Sequence, residues 1–286
     1  MPEDSNALGE FLRVRRSLVR PADVGIRDGN NRRVPGLRRE EVAMLSGIST
    51  EYYLRLEQGR ERRPSERVLG SLARALQLNG DAAQYICDLA RPESQRRQIP
   101  SQHVEPILQS MIDRWSLTPA YVQGSMLSVI AANPLARALT PFFSRGVNLP
   151  RATFLEPEMR QIIQNWETIT AAQVAWLRFF LGAEGTADPE LLDIVDELCS
   201  ASARFRTLWS RHEVKQKTTG TIVFCHPQVG RLSLIYRTLT VPETGQVLVA
   251  HDAEAGTCSE ERLHRLARLT NQRTCDVARP PPMTAR

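Results

Sequence analysis

LRREEVAMLSGISTEYYLRLEQGR, residues 37 to 60, decides how the start of the chain folds. Its first half places Val42, Ala43 and Leu45 on one side of a helix that begins near Arg38, a spacing compatible with a 3.6-residue period. Gly47 supplies a sharp turn, because glycine enters left-handed backbone conformations without a Cβ penalty. Ser49 then caps a second helix, its hydroxyl facing an orphan amide near Glu51 or Tyr52. Tyr53 and Leu56 fall on the inner face of that helix, and Thr50, Glu51, Tyr52 and Arg55 on the outer one. One of the two adjacent tyrosines must pack inward, and the reverse order of Tyr52 and Tyr53 stays open. Gly59 ends the helix. Two short helices crossing closely through a tight turn need such small and apolar residues at the crossing.

The arrangement resembles the helix-turn-helix of the Xre/Cro repressor family, whose second helix enters the major groove. The resemblance implies double-stranded DNA as partner. Arg55 suits a bidentate contact to guanine, and Thr50, Glu51 and Tyr52 are the other candidates for base edges. Glu51 either accepts from cytosine or stabilises the helix N-terminus through the dipole. Ser49, Arg38, Arg39 and Arg60 are candidates for phosphates. Arg32 and Arg33, in the preceding loop, reach a phosphate or the neighbouring minor groove, or are simply solvated. Glu57 is expected to pair with an arginine inside the domain.

With 286 residues the chain is long enough for two ordinary domains. It is 42% hydrophobic and 24% charged, the balance of a folded chain. The net charge of +5 is unevenly placed. Residues 1 to 99 carry 18 Arg against 14 acids, a net +4, and residues 100 to 286 carry 19 Lys and Arg against 18 acids, a net +1. A basic excess near the two-helix stretch fits phosphate contact, although many solvated helices carry as much. The five cysteines are scattered and form no CxxC pair, as expected of reduced thiols. MPEDSNALGEFLRV has acids where a signal peptide needs bases, and no apolar run approaches a membrane span. A cytoplasmic location and no membrane partner are the expectation.

Five helices are expected before residue 92. Ser5 or Asn6 caps the first, which carries Leu8, Phe11, Leu12, Arg15, Leu18 and Val19 on one stripe and stops at Pro21. The stretch from Arg20 to Gly36 is rich in Pro, Gly and Asn and should be irregular. Ser65 caps a helix over about 66 to 77 with Val68, Leu69, Leu72, Ala73 and Leu76 inward, and DAAQYICDLA forms the fifth. GEFLRVRR, VPGLRREEVAMLSGISTEYYLRLEQGR and PSERVLGSLARALQL together resemble the helix-turn-helix domain of the MmyB-like subfamily of Xre regulators.

After a polar linker the pattern turns mixed. A helix is expected from Val104 to Trp115, two short strands around Gly124 and Ser125, and a short helix from Asn133 to Leu139. Two helices follow between Glu156 and Gly182, the second with Val174, Leu177, Arg178 and Leu181 on one face. Another runs from Pro189 through Phe205, and SARFRTLWSRHEV continues or follows it. Ile222 and Phe224, then Leu232, Leu234 and Tyr236, then Val247 and Val249 alternate with period two. These predict three antiparallel strands turned at Pro227 to Gly230 and Pro242 to Gly245. Ser259 caps a last helix, and a disordered tail follows. The fold class is multidomain: an all-α, five-helix, lambda-repressor-like helix-turn-helix domain over 1–91, a linker over 92–103, an α+β domain over 104–272 and a tail over 273–286.

NWE at Asn165 to Glu167, the helix with Leu177 and Arg178, FRTLWSRHEV from Phe205 and HPQVGRLSL from His226 resemble the MmyB-like ligand-binding domain. The resemblance, which with the N-terminal match runs from Leu8 to about Leu269, implies a PAS-like fold and a pocket for a small, fatty-acid-like ligand. It implies a transcriptional regulator acting on a palindromic operator as a homodimer. The pocket candidates are Trp115, Tyr121, Asn133, Trp166, Arg178, Phe205, Trp209 and His226. An acidic apolar ligand needs a buried cation at one end. Arg178 is that candidate, with Asn133 and His226 behind it; the alternative is a buried ion pair of Arg178 with Glu167 or Asp196.

The competing reading makes the C-terminal domain an interaction module without a ligand. No cofactor is expected. His212, Cys225, His226, His251 and His264 lack the paired spacing of metal ligands. Cys225 and His226 project to opposite faces of a strand, which separates a nucleophile from its base. A self-cleaving protease would need a serine with a lysine base, and Lys215 and Lys217 lie beside a turn. No catalytic residue is assigned, and an enzyme is not expected.

Overall fold

Asn6 opens the first helix by accepting the Gly9 amide on its side-chain oxygen at 3.1 Å. The helices of the first part are α1 (Ala7–Leu18), α2 (Arg39–Ser46), α3 (Thr50–Glu57), α4 (Glu66–Ala75) and α5 (Gly80–Ala90). After them come α6 (Pro106–Asp113), strands β1 (Ala120–Gln123) and β2 (Val129–Ala132), α7 (Pro134–Leu139), α8 (Leu149–Leu155) and α9 (Pro157–Ile162). The remainder is α10 (Trp166–Glu184), α11 (Pro189–Ala201), α12 (Ala203–Trp209), β3 (Thr219–His226), β4 (Gly230–Thr240), β5 (Val247–Asp252) and α13 (Cys258–Val277). The computed structural model describes residues 6–27, 34–61, 63–90, 103–124, 127–184, 189–216, 218–241 and 244–277. Arg32, Arg33, the linker at 92–102 and the tail beyond 277 lie outside the described residues.

The chain divides into two compact units, one of Met1–Arg97 with Ala171–Gln216, the other of Gln98–Thr170 with Lys217–Arg286. Residues 171–216, expected within the 104–272 domain, therefore pack with the N-terminal helices, and the division falls inside α10.

In the first unit α2 packs on α3 and α4, α1 on α3 and α5, and α4 on α5. Phe11, Leu12, Leu37, Val42, Tyr53, Leu56, Leu72 and Ile86 have no solvent exposure. Each large apolar side chain so buried contributes about 1.5–3 kcal/mol. The five helices and their caps follow the sequence expectation, with Ser49 and Ser65 accepting the amides of Tyr52 and Val68. Leu45 is a correction: it is 37% exposed, and Ser46 turns inward in its place. Gly9 is required by close approach, since a Cβ there would collide with the Asn6 side chain and the Glu57 carbonyl. The expected single helix through Phe205 is broken at Ser202, whose hydroxyl caps α12 by accepting the Phe205 amide at 3.2 Å.

The second unit is built on a five-stranded antiparallel sheet ordered β2-β1-β5-β4-β3. Helices and sheet together make the α+β domain expected from the sequence. In β3 and β4 the inward residues Ile222, Phe224, Leu232, Leu234 and Tyr236 alternate with more exposed ones. All of β1 and β2 is buried. Ala120 and Val122 on β1 join Ile112 of α6, while the intervening Tyr121 stacks at 4.5 Å on Phe143. Strands covered on both faces lose the alternation. Asn165 pairs with the β3 edge as a strand residue would, donating to the Thr221 carbonyl and accepting from Val223, both at 2.9 Å.

Three further expectations are corrected. The helix expected from Val104 starts at Pro106. Helix α8 was not expected: Asn148 caps it by accepting the Arg151 amide at 3.0 Å. Thr257, not Ser259, accepts the Glu260 amide that opens α13, and the Ser259 hydroxyl accepts from Ser233 instead.

Candidate functional site

The α2–α3 hairpin turns at Gly47, whose φ of 66° lies in the left-handed region. Nothing stands within 4 Å of a Cβ built there, so the need for glycine comes from the backbone alone. At the other end of α2 the Glu41 carboxylate accepts the Arg38 amide at 2.6 Å.

Helix α3 is fixed from beneath. Tyr53 and Leu56 have no exposure and Glu57 only 4%. The Glu57 carboxylate accepts from Arg16 Nε on one oxygen and from Arg39 Nε on the other, both at 2.7 Å. Arg16 also donates to the Leu37 carbonyl at 2.9 Å, and Asn6 to the Glu57 carbonyl at 2.7 Å. One carboxylate thus ties α1, α2 and α3 together, as expected for Glu57. Burial alone would raise its pKa, but the two guanidinium groups outweigh that and hold it below 4.5. The Tyr53 hydroxyl faces this cluster and its pKa is pushed up, first by burial and then by Glu57.

The outer face of α3 is left to solvent. Thr50, Glu51 and Arg55 are exposed and Tyr52 partly so, which settles the order of the tyrosines: Tyr53 is the inner one. The Arg55 guanidinium sits 5.8 Å from the Tyr52 ring centre and 3.4 Å from the Glu61 carboxylate. Arg38 and Arg60 are exposed, as is Ser49, while Arg39 remains 46% exposed despite its bond to Glu57. The hairpin therefore presents hydroxyl, carboxylate and guanidinium groups on one rigid surface.

The eight pocket candidates divide between the units. Arg178, Phe205 and Trp209 meet in the first: the Arg178 guanidinium lies 3.8 Å over the Trp209 ring and donates to the Trp209 carbonyl at 2.6 Å, and Phe205 stacks on Trp209 at 5.6 Å. Arg178 is 5% exposed. The Tyr85 hydroxyl on α5 is near enough to favour its charged form. Among the described residues neither Glu167, Asp196 nor another carboxylate forms an ion pair with it. Burial pulls its pKa down. His212, 6.4 Å from the Phe11 ring, has its pKa pushed down to about 4, first by burial and then by Arg178, Arg13 and Arg15. Tyr85 and His212 were not linked to Arg178 in the sequence, because only the tertiary fold brings them together.

Trp115, Tyr121, Asn133, Trp166 and His226 belong to the second unit. Asn133 donates to the carbonyls of Ile112, Trp115 and Thr118 and accepts from Ala120 and Ala136. His226 likewise bonds the Ala138 carbonyl at 2.9 Å through Nε2. Trp115 packs on the Ile112 cluster, Tyr121 lies beside Phe143 and His251, and Trp166 donates to Thr153. Among the described residues no group of three or more His, Cys, Asp and Glu could hold a metal ion, and no helix is long and apolar enough to cross a membrane.

A helix-turn-helix domain matches residues 7–84. No curated protein matches the chain. The MmyB-like transcription regulator ligand binding domain matches residues 104–266, more than half of the chain. Both matched families are binding modules of regulators. The chain belongs to the MmyB-like transcription regulators, with a helix-turn-helix domain ahead of the ligand-binding domain.

Proposed function

We propose that the protein binds a palindromic operator as a homodimer, reading base edges with Thr50, Glu51, Tyr52 and Arg55, and changes its DNA affinity when a small, apolar, fatty-acid-like ligand is bound. The observation that carries the DNA reading is the division of α3, with Tyr53, Leu56 and Glu57 locked inside and the four candidate readers outside. A preorganised polar face loses little freedom on binding. Arg38, Arg39, Ser49 and Arg60 flank that face and take the phosphates, with Arg32 and Arg33 beside them in sequence. The domains follow the chain order 1–91 and 104–272.

The ligand reading is supported by the family and by Arg178, a buried cation among aromatic rings, which suits the acidic end of an otherwise apolar molecule. Such a ligand regulates only by favouring one protein state over another. Denaturing mass spectrometry of the purified chain tests it: a co-extracted apolar acid supports the sensor, and its absence together with unchanged DNA binding on adding such acids leaves a dimerisation or protein-interaction module. For DNA, selection from random duplexes at two salt concentrations should enrich one sequence; uniform retention would overturn base reading.

A further inference from the structure

Past Gly59 the chain folds back on the end of α3: the amides of Arg60 and Glu61 both donate to the Arg55 carbonyl, at 2.9 and 3.2 Å. Glu61 is thereby brought beside the Arg55 side chain. Its carboxylate accepts from Arg55 Nη2 on one oxygen at 3.4 Å and from the Arg63 amide on the other at 3.3 Å. The Tyr52 ring centre lies 5.8 Å from the same guanidinium. Partial burial and then Glu61 raise the pKa of the Tyr52 phenol and Arg55 opposes the rise, so the three groups sense one another.

An exposed ion pair at 3.4 Å is weak by itself. Its effect is on geometry. Arginine gives up much rotamer freedom when it is fixed, so a guanidinium held near its working position before DNA arrives binds with less ordering. Glu61 is suited to hold it, being tied by its amide to the Arg55 carbonyl and by its carboxylate to the Arg63 amide. A guanidinium has more N–H donors than this one bond uses, and the others remain for a two-pronged contact to a base.

The charge of Glu61 acts in the other direction. An acid beside a DNA-reading face repels phosphates and so lowers affinity for every sequence. It also opposes one alternative for Arg55, since a swing of the guanidinium to a phosphate would leave the carboxylate unpaired beside another anion. We propose that Glu61 is a specificity-determining positioning residue, which keeps Arg55 on base edges and lowers overall DNA affinity. The inference rests on the reading of Arg55 as a base contact.

Selection from random duplexes, with titration of the selected operator and of random DNA, tests this on the full chain, Glu61→Ala, Glu61→Gln and Arg55→Ala. Glu61→Ala should bind random DNA about twofold more tightly. It should also lose about threefold in preference at the one position that Arg55→Ala erases. These opposite changes separate positioning from a structural role, because damage to the end of α3 lowers binding to both DNAs. Glu61→Gln keeps an acceptor oxygen without the charge, and it should retain most of the preference while still gaining on random DNA. If Arg55→Ala erases a position that Glu61→Ala leaves untouched, the inference alone fails. If Arg55→Ala leaves the selected motif intact, the base reading of Arg55 fails and the inference with it. Weaker binding of Glu61→Ala to both DNAs overturns positioning as well.

Discussion

Glu57 and Arg178 are buried charges of the same helical unit, 4% and 5% exposed, in opposite surroundings. Glu57 is bonded by two guanidinium groups at 2.7 Å each. Arg178 has the carbonyl and ring face of Trp209, and its Nε has no hydrogen-bond partner. A buried ion with matched partners fixes geometry, here the seat of α3. One without a carboxylate partner keeps an unmet donor in the interior. The contrast separates a charge that fixes the seat of a helix from one whose bonding groups are only partly used.

The largest expected effect is at the matched charge. Glu57→Ala should destabilise the full chain by about 3–5 kcal/mol in urea unfolding, because Arg16 and Arg39 lose their common partner. A loss below about 1 kcal/mol would show that Glu57 is not the tie between the helices. Next comes Arg55, which has an exposed, weakly held side chain. Arg55→Ala should reduce operator affinity by about 1–3 kcal/mol and leave random DNA almost unaffected; equal losses on both would move Arg55 to the phosphate class.

Acid should distinguish the two surroundings. His212 has a folded pKa of about 4 against an ordinary 6.5, so between these values the unfolded chain binds more protons and stability falls as pH falls. Glu57, depressed below 4.5, contributes stability above that value and loses it only at lower pH. His212→Asn should therefore flatten the stability profile between pH 6.5 and 4, by about 1 kcal/mol after allowing for partial exposure. An unchanged slope in that window would contradict the basic surroundings assigned to His212. The smallest effect is at Arg38: Arg38→Ala should weaken binding to all sequences alike and reduce the salt slope by about 1. An unaltered slope removes it from the phosphate contacts.

Legibility in the sequence followed the range of the interactions. The α2–α3 hairpin, its glycine turn and the Ser49 cap are set by residues within a few positions of one another, and they stand where the periodicity placed them. The same holds for β3 and β4, whose alternation reflects one covered face, whereas β5 stands where expected with Val247, Leu248 and Val249 all buried. Strands β1 and β2 were located although they do not alternate, through the turn signals between them. Helix α8 escaped because LPRATFL carries only a short apolar pattern, although Asn148 with Pro150 behind it is a capping signal. The surroundings of Arg178 were legible only in part, through Phe205 and Trp209 among the pocket candidates. Tyr85 and His212 come near it through tertiary packing, and no local spacing encodes that.

The central claim is that the outer face of α3 reads DNA sequence. Its most direct test is selection from random duplex DNA with the full chain and with Arg55→Ala side by side. The wild type should enrich an inverted repeat with half-sites about one helical turn apart. The variant should lose preference at a single position in each half-site and keep the rest. Identical motifs from both proteins, or no enrichment by the wild type, would contradict the claim.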